Sequence, residues 1–280
     1  RITRKLDYDN YVCGALFPQH IRESFFAIRA VNAEIAGIKD TIRTNPATGK
    51  IRIQWWRDRI NAMYTPEAGA PQETVLLRGL QRAIQEHNLT RRWFDRLIDA
   101  REDDLETHFI DELRELEVYS EKTASSLMYL ALECLGVRED IADRCASHAG
   151  ATIGLATFLR ATPHHSKKEH VYLPEGVLLK HNLQPDDVFA GLEDPVNGAK
   201  LAPAVFDVAC RAMEHLHAAR ALQKELPAAA RPAFLSVVPS ALYLADLEKV
   251  NFNVYAPELQ QRQALQLHWQ VLKRHFLGSF

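Results

Sequence analysis

The chain has 280 residues, with 34 Lys and Arg against 36 Asp and Glu, so its formal net charge is −2. Hydrophobic residues make up 47% and charged residues 25%, which is typical of a globular protein and excludes a chain that is disordered throughout. The balanced charge, without a basic run, argues against a nucleic-acid-binding protein. The four cysteines form no CxxC pair, which argues against a thiolate zinc site and favours a reducing compartment.

Apolar residues recur at steps of three and four along most of the chain, and this spacing predicts helices. Strand patterns are almost absent, so we predict an all-α fold in which residues 1–280 form a single domain. Pro163 is expected to end a helix, and Thr162–His170 is expected to be an irregular polar loop. The predicted helices are His20–Ile38, Ile51–Met63, Gln72–His87, Thr90–Leu105, Asp111–Leu135, Arg138–Ala161, Glu175–His181, Pro185–Ala190, Leu201–Leu226, Pro239–Val250 and Pro257–Phe276.

The chain has no obvious membrane-spanning segment, since a span needs about 20 consecutive apolar residues. The last predicted helix is rich in large apolar residues and could lie on a membrane or pack in the core; we favour the core because no strong basic face accompanies it. Its apolar residues are Leu265, Leu267, Trp269, Val271, Leu272 and Phe276. The chain begins at Arg1, and we expect any targeting peptide to lie outside it.

Two polar clusters are candidates for a metal site, and in both the non-metal interpretation is favoured. His164 and His165 are adjacent and therefore point differently, and Lys167 and Lys168 follow them, so a solvated basic loop is favoured. Asp103 and Asp104 could hold Mg²⁺, but a solvated helix end is the favoured interpretation.

A tryptophan pair precedes an arginine at Trp55, Trp56 and Arg57. Two adjacent residues of a helix cannot face the same way, so we expect one Trp in the core and the other at a groove or rim beside Arg57.

Several segments, spread in order over nearly the whole chain, resemble the squalene and phytoene synthases. That family implies an isoprenoid synthase-like helical bundle around a central cavity, in which two opposed aspartate-rich motifs hold Mg²⁺ and a prenyl diphosphate ionises. The matching segments are Tyr8–Tyr11 (YDNY), Phe17–Arg22 (FPQHIR), Trp55–Asp58 (WWRD), Tyr119 with Thr123, Leu159–Arg160 (LR), Val171–Pro174 (VYLP), Ala230–Leu235 (ARPAFL) and Leu247–Phe252 (LEKVNF).

The resemblance does not extend to the aspartates of the two metal-binding motifs. The first motif would follow Arg29, where Asn32, Ala33 and Ala36 stand. The second would follow Arg160, where Ala161 and His165 stand. We therefore expect no metal and no cofactor, loss of metal-dependent ionisation, and two arginines that face a cavity without their usual acidic company.

Other segments resemble a non-catalytic branch of that family, the assembly factors of mitochondrial respiratory complex I. The branch implies a protein on the matrix side of the inner membrane, peripheral to it, that binds early complex I subunits or other assembly factors. A lipid or isoprenoid in the old cavity is a further expectation, and nucleic acid is not expected. The segments are His87–Trp93 (HNLTRRW), Ser125–Leu130 (SSLMYL), Ala146–His148 (ASH), Leu159–Pro163 (LRATP) and Leu259–Gln261 (LQQ).

Two other hypotheses stay open at this point. One is an active Mg²⁺-dependent head-to-head prenyl transferase with displaced ligands, and the other is a non-catalytic isoprenoid carrier. The residues expected to line the cavity or a partner surface are Arg29, Trp55, Trp56, Arg57, Asp103, Asp104, Tyr119, Arg160, His164, Lys167 and Lys168.

Overall fold

The computed structural model describes residues 1–41, 46–65, 73–107, 109–260 and 264–280, and these form helices joined by short turns, without a strand. The expected all-α class is therefore confirmed. The helices of the first half are α1 (Ile2–Leu6), α2 (Tyr8–Gly14), α3 (Gln19–Thr41), α4 (Pro46–Ala62), α5 (Val75–His87), α6 (Arg91–Asp104), α7 (Leu113–Ser120) and α8 (Ser126–Cys134).

The second half is dominated by two long helices that pack along each other, α9 and α13. Short helices and 3₁₀ turns connect the remaining elements. The helices are α9 (Asp140–Ser166), α10 (Glu175–Lys180), α11 (Pro185–Glu193), α12 (Pro195–Gly198), α13 (Ala202–Leu222), α14 (Arg231–Phe234), α15 (Val238–Lys249), α16 (Pro257–Gln260) and α17 (Ala264–Leu277).

Most predicted helices are confirmed to within a few residues, because their apolar stripes become the core. In α3, for example, Phe25, Ile28, Val31, Ile35 and Ile38 are all at most 2% exposed. Part of two predictions, at positions 72 and 261–263, lies outside the described residues.

The predicted end of α9 at Pro163 is wrong, since the helix continues to Ser166. A proline inside a helix removes the backbone donor to the carbonyl four residues earlier and weakens the helix at that point. The hydroxyls of Thr162 and Ser166 donate to the carbonyls of Phe158 and Thr162, at 3.1 and 2.8 Å. Ser166 also lies 2.9 Å from the Tyr255 hydroxyl, so tertiary contacts hold the last turn that proline weakens.

The predicted helix Asp111–Leu135 is interrupted by one π turn, Glu121–Ser125, between α7 and α8. Helix α9 approaches this turn very closely. A Cβ at Gly150 would lie 2.4 Å from the Ser125 Cα atom, and a Cβ at Gly154 would lie 2.2 Å from the Ser120 Cβ atom. Only glycine permits that approach, so α9 and the π turn are fitted to each other.

Among the described residues, two hydrophobic clusters form the core, and α9 contributes to both. Cys145 and Ala149 belong to the first, which includes much of α3, α5, α6 and α8. Leu155 and Leu159 belong to the second, which includes α10 and most of α13. Helix α9 therefore ties the halves together.

The preference for packing the last helix in the core holds for one stripe of that helix and fails for the other. Leu267 and Val271 of α17 are buried, whereas Leu265, Trp269 and Phe276 are 87%, 65% and 83% exposed. Helix α17 thus packs by one stripe and leaves another stripe of large apolar side chains in solvent.

By length and composition alone, one helical stretch, Ala228–Lys249, could cross a membrane, with a mean hydropathy of 1.3 in its most apolar window. More than half of that window is buried, and the stretch includes Phe234, Val237 and Leu247, each fully buried. Core helices share this composition, so we assign the stretch to the core.

Candidate functional site

One face of α3 carries Asn32, Ala36 and Lys39, at positions i, i+4 and i+7, so their side chains line up. Asn32 is partly buried, and its side-chain oxygen is a buried acceptor without a donor among the described residues. The stripe thus presents an amide, a methyl group and an ammonium.

The ammonium group of Lys39 is buried in a cage of oxygens. Its Nζ atom donates to the Asp104 carboxylate at 2.9 Å, to the Asp104 carbonyl at 2.6 Å and to the Thr107 carbonyl at 2.9 Å. It also donates to the Tyr172 hydroxyl at 2.6 Å, which in turn donates to Asp104 at 2.9 Å. Lys39, Asp104 and Tyr172, which we call the lysine cluster, therefore join α3, α6 and the segment after α9.

Arg101 and Tyr119 extend the lysine cluster towards α7. Arg101 donates to the Tyr119 hydroxyl at 2.7 Å, and that hydroxyl lies 3.5 Å from Asp104. Burial raises the pKa of Tyr119 and of Tyr172, so both phenols stay neutral. Burial lowers the pKa of Lys39, and the carboxylate of Asp104 acts in the opposite direction. The Asp104 carboxylate is therefore already neutralised by a cation belonging to the protein.

His165, near the end of α9, packs against the same cluster, with its ring centroid 4.5 Å from that of Tyr172. Burial lowers the pKa of His165 to about 4, and the neighbouring His164 adds to the effect. The imidazole is consequently neutral at pH 7. Ala161, one turn earlier, adds only a methyl group.

The residues present do not fit a cluster of Mg²⁺ ions. Mg²⁺ requires carboxylate or other oxygen ligands in octahedral geometry. The positions expected to correspond to the metal-binding motifs carry Asn32, Ala36, Ala161 and a neutral His165, and the nearby Asp104 carboxylate is bound by Lys39 and Tyr172. Asp103 is exposed while Asp104 is buried, so the two do not form one ligand pair.

The expectation that Arg29 and Arg160 lack acidic partners is wrong. Arg29 forms an ion pair with Asp7 at 2.6 Å, and Arg160 forms one with Asp9 at 2.8 Å. Both acids flank or begin α2, near the N-terminus rather than in α3 or α9. The two arginines thus clamp the N-terminal helices to α3 and α9.

The tryptophan pair divides as the helix geometry requires: Trp56 is 8% exposed and Trp55 is 38% exposed. Arg57 does not face solvent freely, because it bridges α4 to α6 through ion pairs with Asp99 and Glu102, both at 2.5 Å. Trp55 is therefore the exposed residue among Trp55, Trp56 and Arg57.

The predicted basic loop is partly helical and partly neutralised. Lys168 forms an ion pair with Asp40, and His164 lies 3.4 Å from the same carboxylate. Lys167 is exposed. His164 and His165 do not converge on a common point, and among the described residues no group of three or more His, Cys, Asp or Glu side chains is arranged to hold a metal.

Sequence reasoning missed Lys39, Tyr172, Asp7 and Asp9. Lys39 carried a usable signal, since it stands seven residues after Asn32 on the same helical face. Asp9 and Tyr172 lie in the matching segments YDNY and VYLP, but no local pattern indicates their partners, which they and Asp7 reach only through tertiary packing.

The class of protein follows from the helical architecture, from the segments around α3 and α9, and from a family match that spans nearly the whole chain. Residues 3–272 match the Squalene/phytoene synthase family, and the chain belongs to that family. A squalene synthase structure from Alicyclobacillus acidocaldarius superimposes with a TM-score of 0.77 at 21% identity, covering 90% of this chain and 92% of that one, which supports the fold alone.

Within the family, two similar relatives carry the name NADH dehydrogenase (ubiquinone) complex I, assembly factor 6. The protein from Rattus norvegicus is 39% identical over 264 residues, and the one from Homo sapiens is 36% identical over 264 residues. Each alignment covers 94% of this chain and 77% of the relative.

Proposed function

We propose that this chain is a non-catalytic assembly factor for mitochondrial respiratory complex I, which binds complex I subunits or other assembly factors. The observation that carries the proposal is 36–39% identity, along 94% of the chain, to proteins named as complex I assembly factor 6.

The lysine cluster supports the non-catalytic part. Ionisation of a prenyl diphosphate requires metal ions to stabilise the departing charge. Here the Lys39 ammonium uses the Asp104 carboxylate, and the motif positions carry Asn32, Ala36, Ala161 and His165. The Lys39 ammonium, whose pKa is lowered by burial, therefore serves as a structural link between helices.

Complementation tests the assembly role. The chain, fused to a mitochondrial leader, is expressed in human cells that lack their own complex I assembly factor 6. We expect assembled complex I to return, measured on native gels and as NADH:ubiquinone oxidoreductase activity. A Phe94→Asp variant, which places a charge in the core, should not restore it. Folded protein that reaches the matrix and restores nothing would contradict the proposal.

A pyrophosphate-release assay tests the absence of catalysis. With Mg²⁺ and farnesyl or geranylgeranyl diphosphate, we expect no release above a control without protein, while a squalene synthase assayed in parallel releases pyrophosphate. Release that a chelator abolishes would instead identify a prenyl transferase with displaced ligands.

We place the protein at the matrix side of the inner membrane, bound peripherally. The exposed stripe of α17 supports the peripheral membrane binding, since Leu265, Trp269, Leu272 and Phe276 share one face. Helix Ala264–Leu277 contains no Asp or Glu, whereas Lys273 is exposed beside the stripe. An exposed apolar face suits a lipid surface, and Lys273 adds a positive charge beside it.

Partner contact is assigned to exposed groups among the residues singled out from the sequence. Trp55, Asp103 and Lys167 are exposed and belong to this proposal.

Binding of an isoprenoid tail beside Ala33 and Ala36 is a separate part of the proposed function. Ala33→Phe or Ala36→Trp should abolish saturable binding of farnesol, and wild-type protein that binds no farnesol would exclude this part.

A further inference from the structure

A groove on the outer side of α13 lies between α13, α15 and α17, away from the lysine cluster. It encloses about 630 Å³, which is within the range of small-molecule pockets. Its walls are mainly apolar, and they include Phe206, Met213, Leu216, Leu242, Leu244 and Phe252.

The two ends of the groove differ in chemistry. At one end the rings of Phe206 and Phe252 meet edge to face, with centroids 4.9 Å apart. At the other end lie Arg220 and Arg274. Phe206 and Arg220 stand on the same helix, about 21 Å apart at 1.5 Å per residue, so the groove is long as well as apolar.

No Asp or Glu side chain among the described residues forms an ion pair with Arg220 or Arg274. The Nε atom of Arg220 donates to the Phe280 carbonyl at 3.0 Å, and Arg274 reaches the Ser279 hydroxyl at 3.5 Å. Burial lowers the pKa of Arg220, and the neighbouring charge of Arg274 lowers it further. Like charges in a partly buried site repel each other, and an anion between them would relieve that repulsion.

Two carboxylates also line the groove, but neither forms an ion pair with these arginines. Glu214 pairs with Arg211 at 2.6 Å. Glu248 is exposed and lies near the end of α15, four residues before Phe252 and so towards the aromatic end. Neither glutamate therefore neutralises Arg220 or Arg274.

We propose that this groove binds a single-chain lipid anion, with its carboxylate or phosphate head on Arg220 and Arg274 and its hydrocarbon tail running along α13 towards Phe206 and Phe252. The guanidinium groups supply charge-assisted hydrogen bonds to the head. The apolar walls remove the tail from water. The proposal does not depend on the assembly function, because it concerns binding by the isolated chain.

Cys210 lies inside the groove and reports its occupancy. The other three cysteines, Cys13, Cys134 and Cys145, are buried, so a thiol reagent should modify Cys210 first in the folded protein. The experiment measures the rate of Cys210 modification with and without oleate or 1-oleoyl-lysophosphatidate. Cys210→Ser confirms the assignment of the label.

We expect both anions to protect Cys210 saturably, and monoolein, which has a similar tail and a neutral head, to protect it much less. Arg220→Gln and Arg274→Gln should each weaken anion binding about tenfold, as expected for loss of a charged hydrogen bond. Arg144→Gln, which removes an exposed arginine from elsewhere on the surface, should leave it unchanged.

Ala245→Trp fills the groove from an exposed position and should abolish protection, whereas Ala229→Trp, also exposed but outside the groove, should not. Circular dichroism establishes that each variant is folded. Equal protection by monoolein, or full protection of folded Ala245→Trp, would overturn the proposal. So would unchanged affinity for both anions in the two arginine variants.

The form in which the lipid is supplied, as monomers or in vesicles, distinguishes its source. Oleate given below its aggregation limit tests capture from solution, and vesicles of phosphatidylcholine with lysophosphatidate test capture from a membrane. Protection in either arm supports the groove as a lipid site and identifies the source, and protection in neither arm would overturn it.

Discussion

Lys39 and Asp104 form an ion pair that joins α3 to α6. Both are largely buried, with 15% and 10% of their side chains exposed, and the carboxylate has no other cation within ion-pair distance among the described residues. Removing one member of a buried pair leaves an uncompensated charge, which costs more than the pair itself contributes.

We therefore expect Lys39→Met to lower the free energy of unfolding by about 3 kcal/mol at pH 7. Urea denaturation followed by circular dichroism measures it. The double variant Lys39→Met/Asp104→Leu should recover part of the loss, because it removes the stranded carboxylate as well. Equal stability of Lys39→Met and wild type would show that Asp104 does not depend on Lys39.

His165 gives a second prediction, on the dependence of stability on pH. Its folded-state pKa of about 4 lies below its usual value of 6.5, so below pH 6.5 the unfolded chain binds a proton that the folded chain resists. Its contribution is fully present above pH 6.5 and is lost as the pH falls towards 4, by up to about 3 kcal/mol.

His165→Phe should reduce that acid sensitivity, because the aromatic packing against Tyr172 is kept and the titrating group is removed. Urea unfolding of both proteins at several pH values between 7 and 4 measures the difference. Identical pH profiles would show that protonation of His165 does not drive the loss. Comparison with the variant also cancels the contributions of the other histidines and carboxylates.

At the scale of the elements, the contact between α9 and the π turn depends on two glycines. Gly150→Ala would drive its Cβ into the backbone of Ser125, and overpacking of this kind costs about 3 kcal/mol. Gly37 of α3 is the matched control, because nothing lies within 4 Å of its Cβ position.

Gly37→Ala should instead raise stability by about 1 kcal/mol, since alanine favours a helix. Thermal denaturation of the two alanine variants measures both signs. Loss of stability in Gly37→Ala, or none in Gly150→Ala, would contradict this account of the packing.

The exposed stripe of α17 carries the prediction on membrane binding. Wild-type protein should float with vesicles of phosphatidylcholine and cardiolipin but not with phosphatidylcholine alone, and salt should weaken the association. Trp269→Ser/Phe276→Ser should abolish flotation while keeping the fold, since both side chains are exposed. Flotation unaffected by this change would place membrane binding elsewhere or exclude it.

Sequence patterns predicted the elements well where periodicity alone decides them. They failed at Pro163 and at Glu121–Ser125, where contacts from other elements override the local preference. They also failed on α17, because the same apolar pattern describes a buried stripe and an exposed one, and only the position of neighbouring helices distinguishes them.

For the whole molecule, we expect the chain to unfold as one unit. The two hydrophobic clusters share α9, and Met213 of α13 packs against both. Neither cluster can therefore lose its structure without exposing apolar surface of the other.

Calorimetry and circular dichroism should give one coincident thermal transition, consistent with the single domain predicted for residues 1–280. Two separated transitions would divide the chain into domains and contradict that prediction.

The sequence by itself determined the class of fold, most helix positions and the absence of acids at Asn32, Ala36, Ala161 and His165, because helical periodicity and residue identity are local properties. Tertiary structure decided which charged and polar groups meet. Lys39 meets Asp104 across 65 positions of the chain and Tyr172 across 133, and Arg29 and Arg160 find Asp7 and Asp9 near the N-terminus. Such pairs depend on how helices pack, and a local pattern carries no information about a partner so distant in sequence.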